Sequence, residues 1–155
     1  MLKTKIGKGM APMGMTTQRL LQNIEHASTL SEALRFVDRE NRPTPFHVLL
    51  NEAMASRGLT PQQLATLIDV ERSTLYRLLS GERLSTRNVL VRIALVLRLT
   101  PERTQLLLRS GQRAELYALV RRDALILFCM NHGYTLAQTE DALLQNGEAS
   151  LFERV

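Results

Sequence analysis

From Phe46 to Gly147 the apolar residues recur at helical spacing, in short runs several of which open on Ser or Thr or stop close to Gly. That pattern commits the chain to a set of short helices. The many turns of an all-β sandwich have little to be made from, with only 8 Gly and 5 Pro in 155 residues. Phe46, Leu49, Leu50, Ala53 and Met54 mark one helix up to Gly58. Thr60 caps the next, with Pro61 at its first position and Gln63 completing a capping box. This second helix spans about 61–68 and carries Leu64, Ala65 and Leu67; Asp69 turns the chain, and a third helix runs from Glu71 to Leu79 before Ser80-Gly81. Ser85 caps a fourth, from Thr86 to about Arg98, whose apolar residues cover most faces, so that it must be largely buried. Thr100-Pro101 starts a fifth that ends near Gly111; a sixth spans 121–131, and a seventh runs from Leu136 to about Asn146. The fold class predicted is all-α.

Upstream, Leu20, Leu21, Ile24 and Ala27 fit one amphipathic helix, and Thr29 with Glu32 opens a second that carries Leu30, Ala33, Leu34 and Val37. The polar stretch 38–45 holds Pro43 and Pro45, which forbid a continuous helix, so a boundary falls there. Residues 1–15 contain four of the six Met and three Gly with no period, which reads as a disordered leader and leaves open a start of translation further down. The organisation expected is a leader at 1–15, an N-terminal helical segment at 16–42, a helical domain at 46–111 and a C-terminal helical extension at 112–155.

The last four helices raise a duplication. A shift of 36 residues lays Leu107-Leu108 over Leu143-Leu144, Gly111 over Gly147, and Val89-Leu90-Val91 over Leu125-Ile126-Leu127. With three identities in 25 positions, a duplicated hairpin and two ordinary αα-hairpins that share cap chemistry stand equally open.

Charge is uneven along the chain. The total of 20 Lys+Arg against 15 Asp+Glu is +5, yet residues 11–57 and 58–86 are each neutral. Residues 87–122 hold eight Arg against Glu102 and Glu115, a surplus of +6, and 123–155 return −4. Solvated helix faces are the commoner meaning of such a stretch, and a surface for phosphate or an acidic partner is the other. No apolar run reaches the length of a membrane span, and the N-terminal lysines have no apolar stretch behind them. The single Cys129 lies in an apolar run and reads as core in a reducing, cytoplasmic setting.

The segment Thr60 to Arg83 reads TPQQLATLIDVERSTLYRLLSGER. Leu64 and Ala65 pack the first helix, Val70 plugs the turn, and Leu75 and Leu78 face inward from the second. The segment resembles the helix-turn-helix of the Xre, or phage-repressor-like, family, and with the following long helix the resemblance covers about 46–111. The residues from Arg121 through Asn131-His132-Gly133 to Gly147 are similar to C-terminal extensions of small bacterial proteins of this type, described only as regulators. The resemblance implies a bundle of about five helices, with N-terminal helices and a C-terminal αα-hairpin added to it. It also implies that the 71–79 helix enters the DNA major groove and that its N-terminal residues meet base edges. Carried over by position, the base-reading candidates are Arg72, Ser73 and Arg77, with Glu71 and Tyr76 beside them. Arg can bond guanine bidentately, Ser can bond either partner, and a Tyr ring can meet a thymine methyl. Gln62, Gln63 and the free N–H groups of the 61–68 helix would lie on phosphate, as would Arg83.

Two residues depart from the family pattern: Asp69 stands at the turn position usually filled by Gly, and Pro61 where a phosphate-contacting Gln is frequent. The motif is also neutral, so Arg87, Arg92, the lysines of the leader or a second subunit would have to supply charge toward DNA.

The residues assemble no active site. His26, His47 and His132 are far apart in sequence; Cys129 with His132 gives two metal ligands at most, and His132 stands where it would bond helix-terminal carbonyls. No cofactor-binding motif occurs. The function expected is that of a sequence-specific DNA-binding transcriptional regulator, not an enzyme. Double-stranded DNA is its partner, and it works as a homodimer because one short recognition helix reads too few base pairs. The alternative is an adaptor that keeps the helix-turn-helix fold and binds a protein through the basic 87–122 stretch or the apolar face of the first two helices. The dimer could use either the N-terminal helices or the C-terminal hairpin.

Overall fold

The computed structural model describes residues 17–40 and 44–153, and among these the regular elements are all helices. They are α1 Thr17–His26, α2 Leu30–Glu40, α3 Phe46–Arg57, α4 Pro61–Ile68, α5 Arg72–Leu79, α6 Arg87–Val96, α7 Pro101–Ser110, α8 Arg121–Asn131 and α9 Leu136–Gln145. The leader expected at 1–15 lies outside the described residues. The chain divides into two compact units, residues 1–43 and 44–155. In the first, α1 and α2 pack on each other.

The helix starts follow from local cap chemistry. Thr60 and Gln63 form the reciprocal box, and Thr135 with Gln138 forms a second. Before α2 the box is offset: the Glu32 N–H donates to Thr29 Oγ1, but the Glu32 carboxylate accepts from the Ser28 N–H. The cap of α6 is Thr86, not Ser85; its Oγ1 accepts from the Val89 N–H, and α6 begins one residue later than the spacing predicted. The second unit closes around Leu50, Leu64, Leu75, Leu78, Leu90 and Ile93, all at 0% exposure. As its run of apolar residues requires, α6 is the central helix: Asn88 to Leu95 are all buried.

Two long-range ties to α3 have no signal in local spacing. The Asn51 side chain donates to the Leu79 carbonyl at 2.9 Å, holding the end of α5. Arg57 donates to the carbonyls of Leu97 (2.7 Å) and Arg98 (3.2 Å), closing the end of α6.

The α6–α7 and α8–α9 hairpins repeat each other with a period of 35 residues, one less than the shift of 36 that the leucines proposed. Thr100 and Thr135 are both N-caps. Thr104 and Thr139, both 0% exposed, each donate back to the carbonyl of that cap at 2.9 Å. Left-handed backbone falls at Arg98 and Gly133 and again at Gln112 and Gly147. Gln105 holds the backbone of buried Leu116, and Glu140 holds that of buried Leu151. Arg87 donates to the carbonyls of Ala114 and Glu115, and Arg122 donates to those of Ala149 and Ser150. The adjoining pair is exchanged between the copies: Arg87 bonds Asp123, while Arg122 bonds Asn88. α9 packs on α6 as α8 packs on α7. Reciprocal contact of this kind is the signature of a two-fold relation, here inside one chain.

Candidate nucleic-acid interface

α4 and α5 are set against each other by a turn of left-handed Asp69 (φ 57°), after which the Val70 N–H returns to the Ala65 carbonyl at 3.0 Å. Asp tolerates this conformation better than most residues, which is how the turn forms without Gly. Leu64, Ala65 and Ile68 of α4 and Leu75 and Leu78 of α5 are buried, Thr74 and Leu79 are half-buried, and the period of α5 sends the rest outward. Arg72, Ser73, Tyr76 and Arg77 are all exposed, with Tyr76 at 50%.

Three of the sequence candidates come together. Arg72 Nη1 donates to the Gln62 Oε1 at 3.5 Å, and the Arg72 guanidinium lies 5.9 Å from the centre of the Tyr76 ring. A line of Gln62, Arg72 and Tyr76 therefore crosses from the start of α4 onto α5. Gln63 and Arg83 are exposed as well, but Gln63 is already committed, its Oε1 accepting from the Thr60 N–H. Arg83 follows the end of α5, where its own N–H and that of Glu82 both donate to the Arg77 carbonyl.

The start of α4 offers fewer backbone donors than expected for phosphate. Pro61 has none, and the Gln63 N–H is taken by Thr60 Oγ1, which leaves that of Gln62 in the first turn. The N-cap of α5 is Glu71, whose side chain makes no capping bond.

Gly81 fixes how α5 is released. Its φ is +81°, and a Cβ there would lie 2.8 Å from Nδ1 of His47 on α3. Gly81→Ala is expected to destabilise the second unit by about 2 kcal/mol, from left-handed strain and the displaced imidazole. Equilibrium urea unfolding measures it, and a variant as stable as the parent would show the loop to be free to move.

The charge expected from α6 is not delivered to this face. Arg92 is 7% exposed, and its guanidinium stacks on the Phe152 ring at 4.6 Å. Its Nε is a buried side-chain atom without a hydrogen-bond partner among the described residues. Burial lowers its pKa, while Asp69 and Glu140 oppose the shift. Arg87 is bound to Asp123. The lysines of the leader lie outside the described residues.

The same holds for most of the basic stretch. Besides Arg87, Arg92 and Arg122, Arg98 donates to the Gly133 carbonyl, Arg113 to that of Ser85 and Arg121 to that of Asn146, while Arg109 pairs with Glu115. These arginines close helix ends and loops. Arg98, Arg103, Arg109, Arg113 and Arg121 nevertheless stay exposed, as solvated faces would have them, and what the charge count did not disclose is that most of these arginines also bond backbone or a carboxylate of the same chain.

Residues 47–107 match the family model of a helix-turn-helix domain. No curated protein and no solved structure matches the chain. The domain so defined takes in α3 to α6 and most of α7, and the family it points to is one of DNA-binding regulators. α8 and α9 fall beyond the match, yet they belong to the same compact unit. Two other sequence expectations are met at its edge. Cys129 is buried at 1% exposure, which pushes its thiol pKa up, and His132 Nδ1 lies 2.8 Å from the Phe128 carbonyl. Among the described residues no group of three His, Cys, Asp or Glu is placed to hold a metal, and no helix is long and apolar enough to cross a membrane.

Proposed function

We propose that the chain is a cytoplasmic transcriptional regulator of the phage-repressor-like kind, which reads double-stranded DNA as a homodimer through α5. The observation that carries this reading is the exposed row Arg72, Ser73, Tyr76 and Arg77 on a helix whose other face, Leu75 and Leu78, is at 0% exposure. In it Arg72 and Arg77 bond guanine, Ser73 bonds a base edge, and the Tyr76 ring meets a thymine methyl. Gln62, the side-chain Nε2 of Gln63 and Arg83 take phosphates. The contact from Gln62 to Arg72 supports a further step: a phosphate held at the start of α4 fixes the arginine beside it before it reaches a base. A protein adaptor working through the basic stretch has less to stand on, since most of those arginines, though several are exposed, already bond groups of the same chain.

The test is selection of bound fragments from the source genome by the purified full chain at near-physiological salt, beside the Arg72→Ala, Arg77→Ala double variant. The parent is expected to enrich a two-fold site. Each lost bidentate contact is worth about 1–3 kcal/mol, so the double variant is expected to bind that site on the order of 100-fold or more weakly. Equal enrichment by folded parent and variant would sink the assignment of α5.

A further inference from the structure

We infer that α1 and α2 form the self-association module of the protein, the hairpin of one copy pairing with the same hairpin of a second copy. The inference rests on the dimeric DNA-reading function proposed above and decides which surface serves it. None of residues 18–38 is buried. Leu30 and Leu34, one turn apart on α2, are 76% and 49% exposed, and Leu21 and Ile24 of α1 are 55% and 37% exposed. Ala33 and Val37 are half-buried, so α2 carries more apolar surface than its contact with α1 covers. Helices of 10 and 11 residues are marginal in water, and packing of an apolar face is what normally holds them.

The occupant is argued from three observations. First, the inner face of the other candidate, α8–α9, is already used: it sits on α6–α7 through the reciprocal Arg87–Asp123 and Arg122–Asn88 exchange, and only its outer face, with Phe128 and Leu144, stays exposed. Second, the charges over 18–38 are nearly balanced, Arg19 and Arg35 against Glu25, Glu32 and Asp38, so a copy meets its copy without strong repulsion. Third, helices about 15 Å long give a face at the low end of specific interfaces. Such a pair is weak in free solution and is completed on DNA, where both subunits share one duplex and the second binding event becomes intramolecular.

The experiment is sedimentation velocity of the full chain without DNA, from low to high micromolar concentration. The parent is expected to pass from monomer to dimer, and Leu30→Glu, Leu34→Glu to stay monomeric with the thermal transition of its second unit unchanged. Leu119→Glu alters an 83% exposed leucine between α7 and α8 and is expected to dimerise as the parent does. Because the double variant can lose its hairpin, Leu34→Cys with a short bis-maleimide gives a second readout, with Cys129 protected by burial. Cross-linked dimer is expected there and not from Leu144→Cys on α9. On DNA, the double variant should keep the affinity of the parent for a half-site and lose about 100-fold on the two-fold site. A parent that stays monomeric, dimers that survive Leu30→Glu, Leu34→Glu, or dimers broken by Leu119→Glu would each overturn the inference. Dimers lost in the double variant from a chain that enriches no DNA would uphold the pairing and overturn the DNA reading instead.

Discussion

Asp123→Ala is expected to cost the fold about 3 kcal/mol, while Asp123→Asn costs about 1 kcal/mol. The carboxylate is 3% exposed and accepts from Arg87 Nη1 at 3.0 Å, from Nη2 at 2.8 Å, and from the Tyr117 N–H at 2.9 Å. Alanine leaves a half-buried guanidinium with only the carbonyls of Ala114 and Glu115 and orphans the Tyr117 N–H. Asparagine keeps an acceptor, and the repeat shows that an amide can fill this place, because Arg122 bonds Asn88 at the matching position. The pH dependence separates the two variants further. Burial by itself pushes the Asp123 carboxyl up, but hydrogen bonds from Arg87 and Tyr117 and the charges of Arg87 and Arg122 hold it below the usual carboxylate range. A folded pKa below the unfolded one gives stability that is complete above about pH 4 and is lost as pH falls through the folded value. The gap between parent and Asp123→Asn should therefore narrow as pH drops below about 4. Urea unfolding at neutral and acid pH reads both effects; equal stability of parent and Asp123→Ala, or a gap that widens in acid, would contradict this account.

The contrast between Asp123 and Thr60 shows what a sequence can disclose. Thr60, Pro61 and Gln63 act within one helical turn, so their spacing announced both the helix start and the capping box. The row Arg72, Ser73, Tyr76 and Arg77 was legible for the same reason, since the period that buries Leu75 and Leu78 turns those residues outward. Arg87 gives no such sign. Its partners are 27, 28 and 36 residues away, and nothing local distinguishes an arginine that closes a loop from one that faces a phosphate. Arg92 is the sharper case: a charge in the middle of an apolar helix, expected to be available to DNA, is covered by Phe152. The period of the repeat was missed by one residue because leucines were aligned. Leu107 and Leu108 are both buried, whereas of Leu143 and Leu144 only the first is, the second being 56% exposed. Caps and left-handed positions carry the true register, since they answer to backbone geometry and not to side-chain volume.

Leu108→Ala and Leu143→Ala occupy equivalent places in the two hairpins, each at 0% exposure, and are expected to destabilise the second unit by about 2–5 kcal/mol apiece. The magnitude matters less than the form of the transition. Leu108 lies one residue beyond the helix-turn-helix match and Leu143 lies in the extension. If the extension were an appendage, Leu143→Ala would add a second, earlier transition and leave the main one in place. The ties run the other way: Asp123 and Asn88 are exchanged between the hairpins, and Arg122 of α8 reaches Asn88 of α6. α6 is at once the central helix of the domain that carries α5 and the helix on which α9 packs, so a void at Leu143 propagates into the same core as one at Leu108. Both variants should unfold in a single transition by calorimetry, shifted down by similar amounts. It follows that residues 112–153 cannot be removed to leave a fragment of equal stability, and that a change in the extension reaches α5 through the stability of α6.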